Sequence, residues 1–122
     1  MKSLPAVALI AFSALATAHA ACPYPKGPDS IPDGNTAKLE DMLATQKLVK
    51  QFDTDIGAYQ TCLETEHNEA LAKDGDKLTE DQKKERLRVL ATKQNAAADE
   101  AQAVANRFND QVKVYREKNK KP

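Results

Sequence analysis

The stretch from Met42 to Leu63, MLATQKLVKQFDTDIGAYQTCL, carries large apolar residues at alternating spacings of three and four. This spacing is typical of one face of an amphipathic α-helix, and its seven-residue period is that of a coiled-coil seam. The seam consists of Met42, Thr45, Val49, Phe52, Ile56, Tyr59 and Leu63, of which only the threonine is not a large apolar residue. The stretch therefore predicts a helix that packs against another helix along one face.

The helix around this seam is predicted to run from about residue 36 to residue 72, a segment without proline. Asn35 or Thr36 is expected to cap its start, because a short polar side chain can accept a hydrogen bond from a free N–H group of the first turn. Gly57 lies inside this helix, off the seam, where glycine costs about 1 kcal/mol relative to alanine. Gly57 either permits the close approach of a partner or is simply tolerated, and both alternatives stay open.

A second helix is predicted after the polar turn at residues 73–77, KDGDK. Thr79 and Gln82 have the spacing of a capping box, and the helix is expected to extend from about residue 80 to residue 117. Its basic end suits the negative pole of the helix dipole. The seam of this helix consists of Leu87, Leu90, Gln94, Ala97, Ala101, Val104, Phe108, Val112 and Tyr115.

Two long helices joined by a short turn predict an all-α fold, an antiparallel two-helix hairpin over residues 36–118 with coiled-coil-like packing. The antiparallel register places Phe52 opposite the alanine-rich stretch 97–101. It also places Phe108 and Tyr115 opposite the start of the first helix, near Leu39 and Leu43. Large side chains then meet small ones, as interdigitation requires.

Composition excludes one class of partner. The 122 residues balance 18 Lys and Arg against 18 Asp and Glu, so the protein as a whole has no field that would attract nucleic acid. This balance arises because two segments of the chain carry opposite net charges. Residues 36–72 carry 3 basic and 7 acidic groups, a net charge of −4, and residues 79–122 carry 11 and 7, a net charge of +4. Opposite net charges favour pairing of the two helices, although each exposed ion pair contributes little.

Residues 1–20 have the parts of a secretory signal peptide: a charged start, a short apolar run and the sequence AHA at residues 18–20. The apolar run is shorter than the ~20 residues of a membrane-spanning helix. A lipoprotein signal ending at Cys22 is the alternative, but His19 stands where a lipobox has an aliphatic residue. We therefore expect cleavage after about Ala20 and a periplasmic or secreted protein.

Residues 21–35, ACPYPKGPDSIPDGN, contain four prolines and predict an extended strap of polyproline-II character. The secreted location makes a Cys22–Cys62 disulfide the default, and an intermolecular disulfide is the alternative. Cys62 lies ~39 Å along the helix from Thr36, and the chain from Cys22 to Thr36 can reach ~43 Å. A strap antiparallel to the first helix is therefore just long enough to form the disulfide.

Linear interpolation along this strap predicts that Ile31 covers Leu48 and that Tyr24 lies near Ala58 and Tyr59. The strap then adds a third layer to a thin core, since only 17 of the 102 residues after position 20 are Leu, Ile, Val or Phe. Closing a loop of about 40 residues stabilises a fold by about 4 kcal/mol in the chain-entropy model. We expect the disulfide to decide whether the monomer folds.

The sequence predicts no catalytic residue, no cofactor and no metal centre. Ser30 is the only serine after residue 20, and both cysteines are expected to be bonded, so no nucleophile is paired with a base. Glu64 and His67, three residues apart, can share a metal ion on one helix face, but a lone histidine with flexible acidic neighbours lacks a closed ligand set. We therefore expect a protein that is not an enzyme.

The end of the second helix and the basic tail at residues 119–122 form a candidate partner surface. Their cations can contact anionic lipid or lipopolysaccharide, and the alternative is a solvated helix end. The candidate residues are Lys113, Arg116, Lys118, Lys120 and Lys121, together with Gly57.

Residues 22–66 carry a set of short motifs: Cys22-Pro23, Pro25, Pro28, Ile31-Pro32-Asp33-Gly34, Met42, Gln46, Val49-Lys50, Tyr59 and Cys62-Leu63. This pattern resembles small secreted or periplasmic helical proteins of Gram-negative bacteria, in which C-P and I-P-D-G precede a helix with E-M and a Y…C-L end. Asp41 stands where that pattern has glutamate. The resemblance implies a periplasmic location and pairing of the two cysteines, and it implies no activity and no site residues.

These observations predict a non-enzymatic protein-binding module of the periplasm, such as an adaptor, a chaperone-like protein or an inhibitor, whose partner is another envelope protein. One alternative is a self-associating structural envelope protein. The other is a membrane- or lipopolysaccharide-associated protein that uses the basic C-terminal end.

Overall fold

The computed structural model describes residues 21–121, which form two long α-helices. Helix α1 comprises Leu39–Asp74 and helix α2 comprises Glu80–Lys118, and a turn of 3₁₀ helix at Gly75–Lys77 joins them. The predicted all-α hairpin is confirmed, and so is a disulfide that links the N-terminal strap to the first helix.

The predicted signal peptide at residues 1–20 and the last residue of the basic tail, Pro122, lie outside the described residues. Within residues 21–121, neither helix contains an apolar stretch long enough to cross a bilayer.

The core lies between the two helices and follows the predicted seams. Phe52 and Ile56 of α1 form its centre together with small or medium side chains of α2, so large groups of one helix meet small groups of the other. Val49 and Tyr59 are half-buried against this cluster. The buried side chains are Met42, Thr45, Phe52, Ile56, Leu63, Ala97, Ala101, Val104 and Phe108.

Two glutamines show the antiparallel register directly. The side-chain amide of Gln60 donates to the main-chain oxygen of Gln94 at 3.0 Å, and the amide of Gln94 donates to the main-chain oxygen of Gln60 at 3.3 Å. Residues of α1 and α2 therefore lie opposite one another where their numbers add to about 154. Thr45, the polar member of the seam, is buried because its hydroxyl donates to the main-chain oxygen of Asp41 at 2.9 Å.

The predicted seam of α2 is wrong at its first member. Leu87 is 54 % exposed, whereas Leu90 and Gln94 are half-buried. A strict seven-residue repeat drifts by about 20° per heptad around a straight helix, so a seam aligned with the core at Val104 has rotated outward by position 87.

The predicted start of α1 is also wrong. The residue in the N-cap position is Lys38, and neither Asn35 nor Thr36 caps the helix. Asp33 starts a turn instead: its main-chain oxygen accepts from the N–H groups of Thr36 at 3.1 Å and Ala37 at 2.8 Å, and its carboxylate accepts from the N–H of Asn35 at 2.8 Å. Because Asp33 holds these residues in the turn, α1 begins at Leu39.

The start of α2 agrees with its prediction. The N–H of Gln82 donates to the hydroxyl of Thr79 at 3.2 Å, and the N–H of Thr79 donates to the side-chain oxygen of Gln82 at 2.9 Å. Both donors are satisfied at a helix end that would otherwise leave them free, so this cap fixes where the second helix begins.

The strap lies in the groove between the helices rather than along α1 alone. Ile31 packs against the central core cluster, and Leu48 is 54 % exposed, so the prediction that Ile31 covers Leu48 is wrong. The groove over Phe52 offers more apolar surface than a single leucine, which explains the path of the strap. Tyr24 lies beside Ala58 and Tyr59, as predicted.

Candidate functional site

The strap is attached to α1 at its N-terminal end. Cys22 and Cys62 form a disulfide with their Cα atoms 5.8 Å apart, and the N–H of Cys22 donates to the carboxylate of Glu66 at 3.0 Å. The ring of Tyr24 meets the ring of Tyr59 edge to face with 5.0 Å between centroids. The disulfide indicates an oxidising compartment outside the cytoplasm.

The strap is also attached to α2. The hydroxyl of Tyr24 donates to the carboxylate of Glu100, and this hydrogen bond, with partial burial and the charge of Glu100, raises the pKa of Tyr24 to about 12. Near the other end of the strap, the N–H of Gly34 donates to the side-chain oxygen of Gln111 at 2.9 Å. Contacts to both helices mean that the strap holds the hairpin together along much of its length.

Gly34 is buried directly against the backbone of α2. A β-carbon at this position would collide with the main-chain oxygen of Gln111 and lie 2.7 Å from the main-chain nitrogen of Tyr115. Only glycine permits this approach, which explains the Asp-Gly pair at the turn that ends the strap.

An apolar groove lies at the open end of the hairpin, between the first turns of α1 and the last turns of α2. Leu39 is 56 % exposed and Leu43 is 50 % exposed, although the sequence placed both opposite aromatic seam residues. We call this the open-end groove. It is lined by Leu39, Met42, Leu43, Gln46, Phe108, Val112, Tyr115 and Arg116.

The structure places the predicted basic residues in different surroundings. Arg116 lines the open-end groove, whereas Lys113 lines a neighbouring pocket together with Asp110, and neither cation forms an ion pair with another described residue. Lys118 instead donates to the main-chain oxygen of Asn35, so it holds the strap turn against α2. Lys120 pairs with Glu117 at 3.3 Å.

Lys121 is exposed at the end of the described chain. Gly57 is exposed, and a β-carbon there would meet nothing within 4 Å. Gly57 lies at least 11 residues along α1 from the open-end groove, about 16 Å, so the structure does not bring it together with the basic residues.

The sequence contains a signal for the open-end groove that its interpretation missed. With position a at residue 42, Leu39 falls at position e and Leu43 at position b. Leucines at these positions lie beside the seam rather than in it, so in a two-helix protein they have no second neighbour to cover them.

Glu64 and His67, the two residues that the sequence analysis considered as metal ligands, face different surroundings. The carboxylate of Glu64 accepts from the side-chain amide of Gln94 at 3.1 Å. His67 faces a different groove near the turn, where its Nε2 atom is buried and makes no hydrogen bond within residues 21–121. The two cysteine sulfurs and Glu66 lie close together, but the disulfide occupies both sulfurs and leaves no thiolate to bind a metal.

Comparison of the chain with protein-family models, with curated proteins and with solved structures finds no match. The interpretation of the candidate site therefore depends on its own geometry and chemistry.

Proposed function

We propose that this protein is a non-enzymatic protein-binding module of the bacterial periplasm, and that the open-end groove receives its partner. The observation that carries the proposal is the exposure of Leu39 and Leu43, one helical turn apart, beside the half-buried Val112. An exposed apolar patch rimmed by polar residues is a feature of protein and membrane interaction sites.

The chemistry of the groove favours a particular kind of partner. Two leucines at i and i+4 form a floor on which the apolar face of an amphipathic helix can lie. Arg116 lines this floor and forms no ion pair in the described chain, so it favours a partner helix with acidic residues along its edge. The partner proposed is thus an acidic, amphipathic helix of another envelope protein.

A photo-crosslinking experiment tests this proposal with a matched control on the same helix. Benzoylphenylalanine replaces Leu43 in one sample and Leu48 in the other, since both leucines are about half exposed but project from different sides of α1. We expect irradiation in periplasmic extract to give one discrete adduct from position 43 that is absent from position 48.

The partner in this adduct is then identified and purified, and its affinity for the protein is measured by calorimetry. Leu43→Glu is expected to weaken binding at least about tenfold, because it places a charge on the apolar floor, and Leu48→Glu is expected to leave affinity unchanged. Equal effects of the two substitutions would contradict the proposal. An adduct of twice the protein's own mass would instead support the alternative of a self-associating envelope protein.

The exposed leucines lie beside Arg116, which forms no ion pair among the described residues, and this also favours a second candidate function, association with an anionic membrane or with lipopolysaccharide. Flotation with vesicles of neutral and of anionic lipid distinguishes this candidate. Binding to anionic vesicles that Leu43→Glu and Arg116→Gln both remove would support it over a protein partner.

We also propose that the mature chain begins at Ala21, after cleavage of a signal peptide, and that it carries no lipid. The disulfide supports this proposal, because the sulfur of Cys22 that a lipoprotein would acylate is bonded to Cys62. Intact mass measurement of the protein from its native compartment tests it. A mass increased by acyl chains would show the lipoprotein alternative to be correct.

A further inference from the structure

The Cys22–Cys62 disulfide lies at the surface of the hairpin, where a thiol can reach it. Both cysteines are half-buried, and Cys62 lines two surface grooves. One groove follows α1 toward the turn, and the other lies beside Tyr24 at the start of the strap. A thiolate reduces a disulfide by direct attack on one of its sulfurs, so access of this kind is the first requirement for reduction.

A carboxylate lies beside both sulfurs. Glu66 follows Cys62 by one helical turn, and a carboxylate oxygen of Glu66 lies within 4.8 Å of the two cysteine sulfurs. The N–H of Cys22 donates to this carboxylate at 3.0 Å and holds it in place. Glu66 forms no ion pair within residues 21–121, so its negative charge acts directly on the disulfide.

The surroundings of Cys62 on α1 carry the same sign of charge. Residues 51–72 contain five acidic side chains and no lysine or arginine. Glu69 lines the groove toward the turn together with Cys62, and Asp55 lines the groove at the start of the strap. A thiol that approaches the disulfide along either groove therefore passes an acidic side chain.

Three lysines also face this region, and none of them neutralises the carboxylate beside the sulfurs. Lys73 lines the groove toward the turn but lies ~16 Å along α1 from Cys62. Lys93 lies across the hairpin on α2 and forms no ion pair with another described residue. Lys26 of the strap is paired with Asp29 at 2.9 Å.

We propose that the Cys22–Cys62 disulfide is a redox site that selects its reductant by charge. Neutral and cationic thiols reduce it, anionic thiols of the glutathione class are repelled, and Glu66 sets this preference. A thiolate attacks the sulfur of Cys62, the S–S bond breaks, and Cys22 leaves as a thiolate with the electron pair. A second thiolate attacks the mixed disulfide and releases Cys62, so the reductant leaves as its own disulfide. The two protein thiolates take up the protons that the two reductant thiols gave up.

The carboxylate of Glu66 opposes this reaction twice, because it repels the incoming thiolate and destabilises the leaving thiolate. A further negative charge on the reductant adds to the repulsion, and a positive charge offsets it. Two unit charges about 6 Å apart in water interact strongly enough to change a rate about threefold. Since Ile31 of the strap packs against the central core cluster, the charge of the reductant decides whether the strap can be detached and this part of the core uncovered.

The test compares three small thiols of similar size: anionic 2-mercaptoethanesulfonate, neutral 2-mercaptoethanol and cationic cysteamine. The oxidised protein is reduced by each, and the reaction is followed by maleimide labelling of the released thiols. Each rate constant is divided by the rate constant of the same thiol with bis(2-hydroxyethyl) disulfide, which removes differences in thiol reactivity. We expect the normalised rate for cysteamine to exceed that for the sulfonate at least about threefold, and 0.5 M salt to narrow this ratio.

Glu66→Gln separates the charge of this side chain from its structural role. The glutamine keeps a side-chain oxygen that can accept from the N–H of Cys22, but it has no charge. We expect the variant to react faster with the sulfonate than the original protein does, and the ratio between cysteamine and the sulfonate to fall at least about twofold. Glu40→Gln is the matched control, because it makes the same change of net charge at an exposed position near the other end of α1.

Equal normalised rates for the three thiols would overturn the proposal. So would acceleration of all three by the same factor in Glu66→Gln, because that result would mean that Glu66 only holds the strap in place. An effect of Glu40→Gln as large as that of Glu66→Gln would assign the selectivity to the net charge of the protein instead. The experiment involves no partner of the open-end groove, so its outcome is independent of the function proposed for that surface.

Discussion

Gly34 packs against main-chain atoms of α2, and such atoms cannot rotate away from an added side chain. A β-carbon there would collide with the main-chain oxygen of Gln111 and crowd the nitrogen of Tyr115. We expect Gly34→Ala to lower the free energy of unfolding by about 1–3 kcal/mol, the usual cost of overpacking a closely packed site. Urea unfolding followed by circular dichroism measures the change.

Gly27 supplies the control for this substitution, because it belongs to the same strap. A β-carbon at Gly27 would lie 3.5 Å from the ring of Phe52, an ordinary van der Waals contact. Gly27→Ala is therefore expected to change stability by less than about 0.5 kcal/mol. Similar losses from both substitutions would show that packing against α2 is not the cause.

Gly57 presents the opposite situation, since within residues 21–121 its β-carbon would have no neighbouring side chain within 4 Å. Alanine there removes backbone freedom from the unfolded chain and improves helix propensity, so Gly57→Ala is expected to stabilise the protein by about 0.5–1 kcal/mol. The midpoint of urea unfolding should rise. If the same variant loses affinity for the partner, Gly57 is a place where the partner approaches closely.

Tyr24 links the strap to α2 in a pH-dependent way. Its hydrogen bond to Glu100 raises the pKa to about 12 in the folded state, against 10.0 for the free side chain. The neutral phenol is thus favoured by folding, and this stabilisation is complete below about pH 10 and is lost as the pH rises from about 10 to about 12. Phenolate absorbance of a Tyr59→Phe, Tyr115→Phe protein reports the titration of Tyr24 alone.

The variant Glu100→Ala tests the cause of the raised pKa of Tyr24. It removes the largest cause of the shift, so the pKa of Tyr24 should fall back toward its ordinary value. An unchanged titration curve would show that Glu100 does not accept the hydrogen bond in solution.

At the level of secondary structure, the disulfide converts the strap from a tail into part of the fold. It closes a loop of 40 residues between Cys22 and Cys62, which stabilises the folded state by about 4 kcal/mol in the chain-entropy model. We expect a Cys22→Ala, Cys62→Ala protein to be less stable than the oxidised protein by up to that amount in urea unfolding. Electrophoresis without reductant should show a monomer, and a dimer band lost on reduction would contradict the intramolecular bond.

The two helical seams could be predicted because they depend on local periodicity. The packing of Phe52 over Ala97 and Ala101 follows from that spacing and from the position of the turn. The path of the strap could not be predicted in the same way. Interpolation assumed that α1 was its only support, whereas Ile31 follows the larger apolar surface between the helices.

On the scale of the whole hairpin, the charged residues of the sequence could be assigned to the surface. The contact that each of them makes there could not be predicted. Lys118 and Arg116 belong to the same basic run, yet Lys118 is bound to the strap turn and Arg116 lines the open-end groove. This difference arises from where residue 35 comes to lie, a contact across 83 positions that no local pattern contains. Leu39 and Leu43 did carry a local signal, since they lie beside the seam.

The burial of Gly34 against Gln111 also constrains the order in which the protein folds. The strap is synthesised before either helix, but the backbone that receives it is made 77 residues later. The part of the strap around Gly34 therefore waits, without its contact to α2, until the last helix exists. Because such distant contacts form slowly and the chain has only two cysteines, the wrong partner open to Cys22 is a cysteine of another molecule, and an oxidant that acts before the strap has docked favours a disulfide-linked dimer.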